Sequence, residues 1–253
     1  MLELNKIYCG DCLELMKQIP DKSIDLVLTD PPYGTTSNEW DNLPDLEVLW
    51  YELKRVGKDN CAYVFTANQP FTSKLIISNM DWFKYCWAWN KIVPSGFLNS
   101  KKQPLKVLED ICVFYRNQCK YNPQFIQRTE KEIKEFKSKQ SVKGNSTENY
   151  NSYNIIKTKN PEKKYPNNLI SINSKERECN FKNRKHPTQK PIKLMNYLME
   201  TYSNENDLIL DPFLGSGTTC VAAKQLKRNY IGIEISPKYC AIAEQRLRQD
   251  ILL

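Results

Sequence analysis

Short apolar runs alternate along this chain with stretches whose apolar positions recur every three or four residues. Leu26 to Thr29, Ala62 to Thr66, Tyr85 to Trp89, Ile111 to Tyr115, Leu208 to Leu210 and Tyr230 to Ile233 predict strands. Cys12 to Ile19, Leu46 to Val56, Gln69 to Asn79, Ile192 to Tyr202, Thr218 to Leu226 and Pro237 to Gln249 carry helical spacing. Strands alternating with amphipathic helices predict a doubly wound, mostly parallel α/β sheet that holds its ligands at the C-terminal strand ends. Between Lys120 and Lys185 the pattern fades. Asn, Lys and Tyr dominate there, aliphatic runs are few, and Gly144 to Asn154 contains no aliphatic residue, so the stretch reads as an insertion with long loops.

Two turns at predicted strand ends carry chemistry. The run Asp25-Leu26-Val27-Leu28-Thr29 ends in Asp30-Pro31-Pro32-Tyr33. Each proline fixes φ near about −65° and removes a backbone N–H, so the remaining groups are acceptors held in place. An exocyclic amine on adenine or cytosine is a poor nucleophile because its lone pair is delocalised into the ring. The Asp30 carboxylate and the Pro31 carbonyl would take its two N–H bonds and draw the nitrogen toward tetrahedral geometry. Tyr33 would give an aromatic face to a base taken out of a duplex. A Pro-Pro turn after an ordinary strand is the other reading. Near the far end, Leu208-Ile209-Leu210 runs into Asp211-Pro212-Phe213-Leu214-Gly215-Ser216-Gly217-Thr218-Thr219 and then a helix. Gly215 and Gly217 permit a tight turn and close backbone approach, and the helix N-terminus favours a negative ligand group. The next strand ends at Glu234, about twenty residues past the first glycine, where a carboxylate can accept from a ribose diol. The third glycine of a dinucleotide fingerprint is absent, so a nucleoside cofactor is implied.

With these residues in place, the chain resembles the amino-methylating DNA methyltransferases, which make N6-methyladenine or N4-methylcytosine from S-adenosylmethionine. Asp30 to Tyr33 matches their catalytic motif and Phe213-Leu214-Gly215-Ser216-Gly217 their cofactor motif. Catalytic motif first and cofactor motif last is the circularly permuted order of the β group. Ile7 to Leu13 and His186-Pro187-Thr188-Gln189-Lys190-Pro191 agree with it, and the resemblance covers about residues 3–116 and 185–248. It implies a Rossmann-like class I methyltransferase: a catalytic half (1–118), an inserted basic target-recognition segment (119–185) and an S-adenosylmethionine-binding half (186–253). It also implies roles. Asp11 would bond the cofactor's adenine amine, Glu234 its ribose, and the Asp211 to Thr219 loop, with Ser216 and Thr218, its methionine portion. Phe213 would pack against the cofactor and Lys190 would meet its carboxylate. Bland alternatives stand beside these: Asp11 as a helix cap, Lys190 as a solvated lysine, Glu234 as a turn residue, and Thr218 with Thr219 as ordinary early-helix residues. Double-stranded DNA is the implied partner, with adenine N6 favoured because the motif begins with Asp. Cytosine N4 is the nearest alternative, and an RNA or protein substrate a more distant one. A homodimer and a restriction endonuclease partner are candidate assemblies on the same ground.

Charge sharpens the picture. The 253 residues carry a formal charge of +8, while residues 116–190 alone hold 18 Lys and Arg against 7 Asp and Glu, which leaves the remainder at −3. The basic excess therefore lies between the two motifs, where Asn and Gln suit adenine edges and Lys and Arg suit guanine or phosphate. A lysine-rich surface insertion would show the same composition. None of the nine cysteines follows a proline, which argues against cytosine C5 chemistry through a thiolate. Cys9 and Cys12 form the one Cys-x-x-Cys pair and His186 is the one histidine, so no metal site is expected. No leader or membrane span is apparent, and a reducing cytoplasm is expected. Gly34 to Asn42, with Trp40, reads either as a loop closing over the base or as a core anchor.

Overall fold

The computed structural model describes residues 1–34, 43–139, 160–176, 179 and 189–248. In chain order these form β1 (Lys6–Cys9), α1 (Cys12–Met16), β2 (Ile24–Thr29), α2 (Leu46–Val56), β3 (Gly57–Ala67), α3 (Phe71–Ser78), β4 (Phe83–Ser95) and β5 (Lys106–Phe114). Then come β6 (Ile126–Gln127), α4 (Glu130–Lys139), β7 (Lys163–Lys164), β8 (Leu169–Ser171), α5 (Ile192–Tyr202), β9 (Leu208–Asp211), α6 (Thr218–Gln225), β10 (Asn229–Glu234) and α7 (Pro237–Arg248). These residues group into two compact units, one of residues 1–122 with 168 onward and one of Pro123–Asn167.

The larger unit holds one sheet in the order β1-β10-β9-β2-β3-β5-β4-β8. Every neighbouring pair is parallel except the two that β5 makes, with β3 and β4. The doubly wound, mostly parallel architecture follows from the alternation of its central strands. On β2, Leu26 and Leu28 face a core built with Leu194, Met195, Leu198 and Met199 of α5 and Ala222 of α6. Ile24 and Val27 face a second core with Leu49, Trp50 and Leu53 of α2 and Leu75 of α3. A strand buried on both faces in this way is apolar throughout, which is why β2 and β9 read as continuous runs.

Parallel pairing of β2 with β9, Leu26 opposite Ile209 and Val27 opposite Leu210, brings both motif turns to one edge of the sheet. At the opposite edge the buried Asp25 accepts from Lys58 at 2.7 Å, Lys120 at 3.1 Å and the Leu208 amide at 3.1 Å. Burial alone would raise its pKa, but these donors hold it below the ordinary value. The smaller unit pairs β6 with β7 antiparallel beside α4, and stacks Arg128 over Phe136 and Phe125 against Tyr165.

The predicted α2 and α5 match residue for residue, while α1 stops at Met16 and α3 starts at Phe71. β1, β6, β7, β8 and α4 are not among the predicted elements. β1 has two strongly apolar-patterned residues only, and the helical signal of α4 rests on Ile133 and Phe136 among charges. The Trp40 loop, Gly144 to Asn154 and His186 to Thr188 lie outside the described residues.

Candidate active site

Asp30 begins the turn after β2, and its carboxylate meets three donors. Tyr33 Oη donates to Oδ1 at 2.8 Å, the Thr66 hydroxyl donates to the same oxygen, and Lys190 Nζ donates to Oδ2 at 2.7 Å. Thr66 reaches it because Thr29 pairs with Phe65 on β3, which sets the next residue of each strand side by side. Lys190 comes from the segment before α5 and is 8% exposed. It is therefore not a solvated lysine, and the structure places its ammonium on Asp30, with Glu109 Oε2 of β5 at 3.8 Å. Burial pulls the Lys190 pKa down, but Asp30 and Glu109 more than offset that and hold it above the usual lysine value. The Tyr33 ring stacks on Phe71 with centroids 5.1 Å apart, and burial next to Asp30 pushes its phenol well up. Both groups stay proton donors at neutral pH. A carboxylate offers about four lone-pair positions, so three donors leave capacity for one more.

The glycine loop lies one strand away. Asp211, the last residue of β9, is buried and accepts from the Thr29 hydroxyl at 2.6 Å and the Phe213 amide at 3.1 Å. Burial raises its pKa to about 6 against the bonds from Thr219, Thr29 and the Phe213 amide, with Asp30 adding a smaller rise. Thr29 thus ties the two motifs together through adjacent side chains. Gly215 has φ +56° and no atom within 4 Å of where a Cβ would stand, so the loop opens onto free space there. Gly217 has φ +87° and a Cβ would sit 2.7 Å from the Ala243 Cβ, so α7 packs directly on it. Arg246 of α7 donates to the Ser216 carbonyl at 2.6 Å and lies 3.2 Å from the Thr218 hydroxyl, and the Ser216 hydroxyl meets Gln189 at 3.3 Å. Thr218 opens α6, and Phe213 packs half-buried against the second core.

Glu234 ends β10 and accepts from the Gly215 amide at 2.7 Å and the Ser236 amide at 2.8 Å. Asp11 follows the neighbouring strand β1 and caps α1, accepting from Leu13 and Glu14 amides through Oδ1 at 2.8 and 3.1 Å. The Gly10 amide donates to the Glu234 carbonyl at 2.9 Å, so Asp11 and Glu234 stand at neighbouring strand ends. Asp11, Asp30 to Tyr33, Asp211 to Thr218 and Glu234 therefore stand at one edge of the sheet, with Lys190 brought to Asp30 there. Thr66, Glu109 and Arg246 were missed. A threonine closing the apolar run Ala62 to Thr66, predicted as a strand like the one that runs into Asp30, is the available signal for the first. Among the described residues no group of His, Cys, Asp and Glu could hold a metal ion, and no helix is long and apolar enough to cross a membrane.

A family model described as DNA methylase matches residues 24–245. The Type II methyltransferase M.HinfI of Haemophilus influenzae is 31% identical over 97% of this chain and 69% of its own length. The crystal structure of the M1.HpyAVI-SAM complex superposes with a TM-score of 0.65 at 26% identity, covering 96% of this chain and 98% of that one. The PvuII DNA methyltransferase, described as cytosine-N4-specific, has a TM-score of 0.67 at 21% identity over 98% of this chain and 87% of its own, a likeness of fold alone.

Proposed function

Because the chain belongs to the N6/N4 DNA methylase family, we propose that it methylates the exocyclic amine of a base in double-stranded DNA, adenine N6 in particular, using S-adenosylmethionine. One observation carries the reading: a carboxylate at the end of β2, pinned by Lys190, Thr66 and Tyr33, stands one strand from an open glycine loop. The cofactor fits the residues present. Open space at Gly215 would receive its methionine portion, with Asp211, Phe213, Ser216, Gly217 and Thr218 shaping the loop, Glu234 for the ribose and the second oxygen of Asp11 for the adenine amine. When bound it supplies a methyl group already activated on sulfonium sulfur.

The protein's own task is alignment and exclusion of water. Asp30 uses its remaining acceptor position for one amine N–H while the Pro31 carbonyl takes the other, and Pro32 keeps that turn rigid. Lys190 donates to one oxygen of Asp30 and fixes the direction of the carboxylate, and the amine proton is released to solvent as or after the nitrogen takes the methyl group from sulfur. Tyr33 and Phe71 form a stacked aromatic wall beside the carboxylate, against which the base is proposed to lie. Residues 119–185 are proposed to contact DNA through their basic excess. A homodimer and a cognate endonuclease belong to the same proposal.

Asp at the head of the catalytic motif favours adenine, whereas the family spans both amines, so cytosine N4 is the second reading. Incubating the protein with methyl-labelled S-adenosylmethionine and unmodified DNA, then separating the nucleosides, tests it. Label in N6-methyldeoxyadenosine is expected. Label in N4-methyldeoxycytidine moves the reading to cytosine, and label absent from DNA overturns it.

A further inference from the structure

The β4–β5 hairpin extends past the catalytic edge of the sheet. Ala67, the last residue of β3, lies opposite Asp110, and Trp89 pairs with Glu109, whereas Ser95 pairs with Lys106 farther out. At ordinary strand rise the three steps from Glu109 to Lys106 carry the hairpin about 10 Å beyond. Its tip is built rather than loose. Gly96 at φ +91° leads into one 3-10 turn, Phe97–Asn99, and the amides of Asn99, Ser100 and Lys102 bond the carbonyls of Gly96, Phe97 and Asn99 at 3.0, 3.1 and 2.8 Å.

This ordered tip presents apolar side chains to water. Phe97 is 61% exposed and Leu98 wholly so, and Ile92 and Leu108 lower on the hairpin are about half exposed. Residues 92–108 hold three lysines, the exposed Lys101, Lys102 and Lys106, and no acidic residue, so the charge flanking the apolar tip along the chain is positive. The hairpin base reaches the surroundings of Asp30. Lys91 Nζ donates to Glu109 Oε1 at 3.0 Å, and Glu109 Oε2 lies 3.8 Å from the Lys190 ammonium that bonds Asp30. Exposed large apolar side chains side by side on a hydrogen-bonded turn mark a binding surface, and lysines about them select a polyanion.

We propose that this tip is a wedge that enters the base stack of duplex DNA as the target base leaves it. Phe97 and Leu98 fill the slot between base pairs, and Lys101, Lys102 and Lys106 meet the flanking phosphates. Apolar side chains inserted at a base step offset the loss of stacking there, and the same hairpin carries Glu109 to within 3.8 Å of the Lys190 ammonium that bonds the acceptor. The inference rests on DNA being the substrate.

The test is the double variant Phe97→Ser, Leu98→Ser, at two exposed positions that the folded core does not use. Methyl transfer is measured on two duplexes carrying the sequence that the wild type methylates, one fully paired and one mismatched opposite the target base. The wedge predicts a loss of about tenfold or more on the paired duplex, most of it recovered on the mismatched one because that base is already unpaired, with cofactor affinity unchanged. Wild-type rates on both duplexes, or equal losses on both, overturn it. So does a change of oligomeric state in the variant, which assigns the tip to a second copy of the chain. A wild type that transfers methyl to no DNA overturns the substrate reading and the wedge with it, whereas an active wild type and an indifferent variant overturn the wedge alone.

Discussion

Three donors on one carboxylate make Asp30 a fixed acceptor, and Thr66 is the donor whose removal disturbs least else. Thr66→Val keeps the shape and deletes one hydrogen bond of about 1 to 1.5 kcal/mol, so single-turnover methyl transfer is expected to slow by about five- to tenfold. Cofactor affinity by calorimetry should not move. Asp211 yields a pH prediction. Its folded pKa of about 6 stands above its ordinary 3.8, so the folded state binds that proton more tightly. The resulting stability is present at low pH and is lost as pH rises through 6. Measured by urea denaturation, the wild type should lose about 1.4 kcal/mol relative to Asp211→Asn between about pH 5 and 7.5, and parallel curves would refute the assignment. The Asp30 to Tyr33 turn stands out in the sequence because its four residues are contiguous. Thr66 does not, since it meets Asp30 across 36 residues, and Lys190 is read there only toward a cofactor because 160 residues separate it from Asp30.

Among the elements, the glycine loop separates two demands that a sequence shows as one motif. Gly217→Ala meets both a left-handed backbone and the Ala243 side chain, so it should lower stability by about 1 to 3 kcal/mol. Gly215→Ala meets a left-handed backbone and open space, so it should cost about 1 kcal/mol and instead weaken cofactor binding where the added methyl projects. Thermal melts and calorimetry on the pair decide this, and equal effects on both quantities would contradict it. Strands and helices were readable wherever both faces are buried or the periodicity is strong, as in β2, β9, α2 and α5. The outer halves of β4 and β5 were not, because beyond Trp89 and before Ile111 the hairpin leaves the core and its pattern becomes Asn90, Lys91, Pro94 and Glu109.

Across the whole molecule charge is segregated: residues 116–190 carry +11 within a chain of +8. If that excess meets phosphates, exchanging several lysines within 120–185 for glutamine should weaken DNA binding and flatten its salt dependence by roughly one unit of log–log slope per lost contact. An unchanged slope would remove the segment from the interface. The central claim is that Asp30 accepts a base amine and so directs methyl transfer to DNA. It is tested most directly by modification-detecting sequencing of a methylation-free host expressing the wild type or Asp30→Ala. We predict N6-methyladenine at one sequence in the wild type, and with Asp30→Ala a loss of about a hundredfold or more in turnover, by comparison with losing one positioned transition-state hydrogen bond. An unmarked genome from a folded, cofactor-binding wild type, or undiminished marking by the alanine variant, would contradict the account.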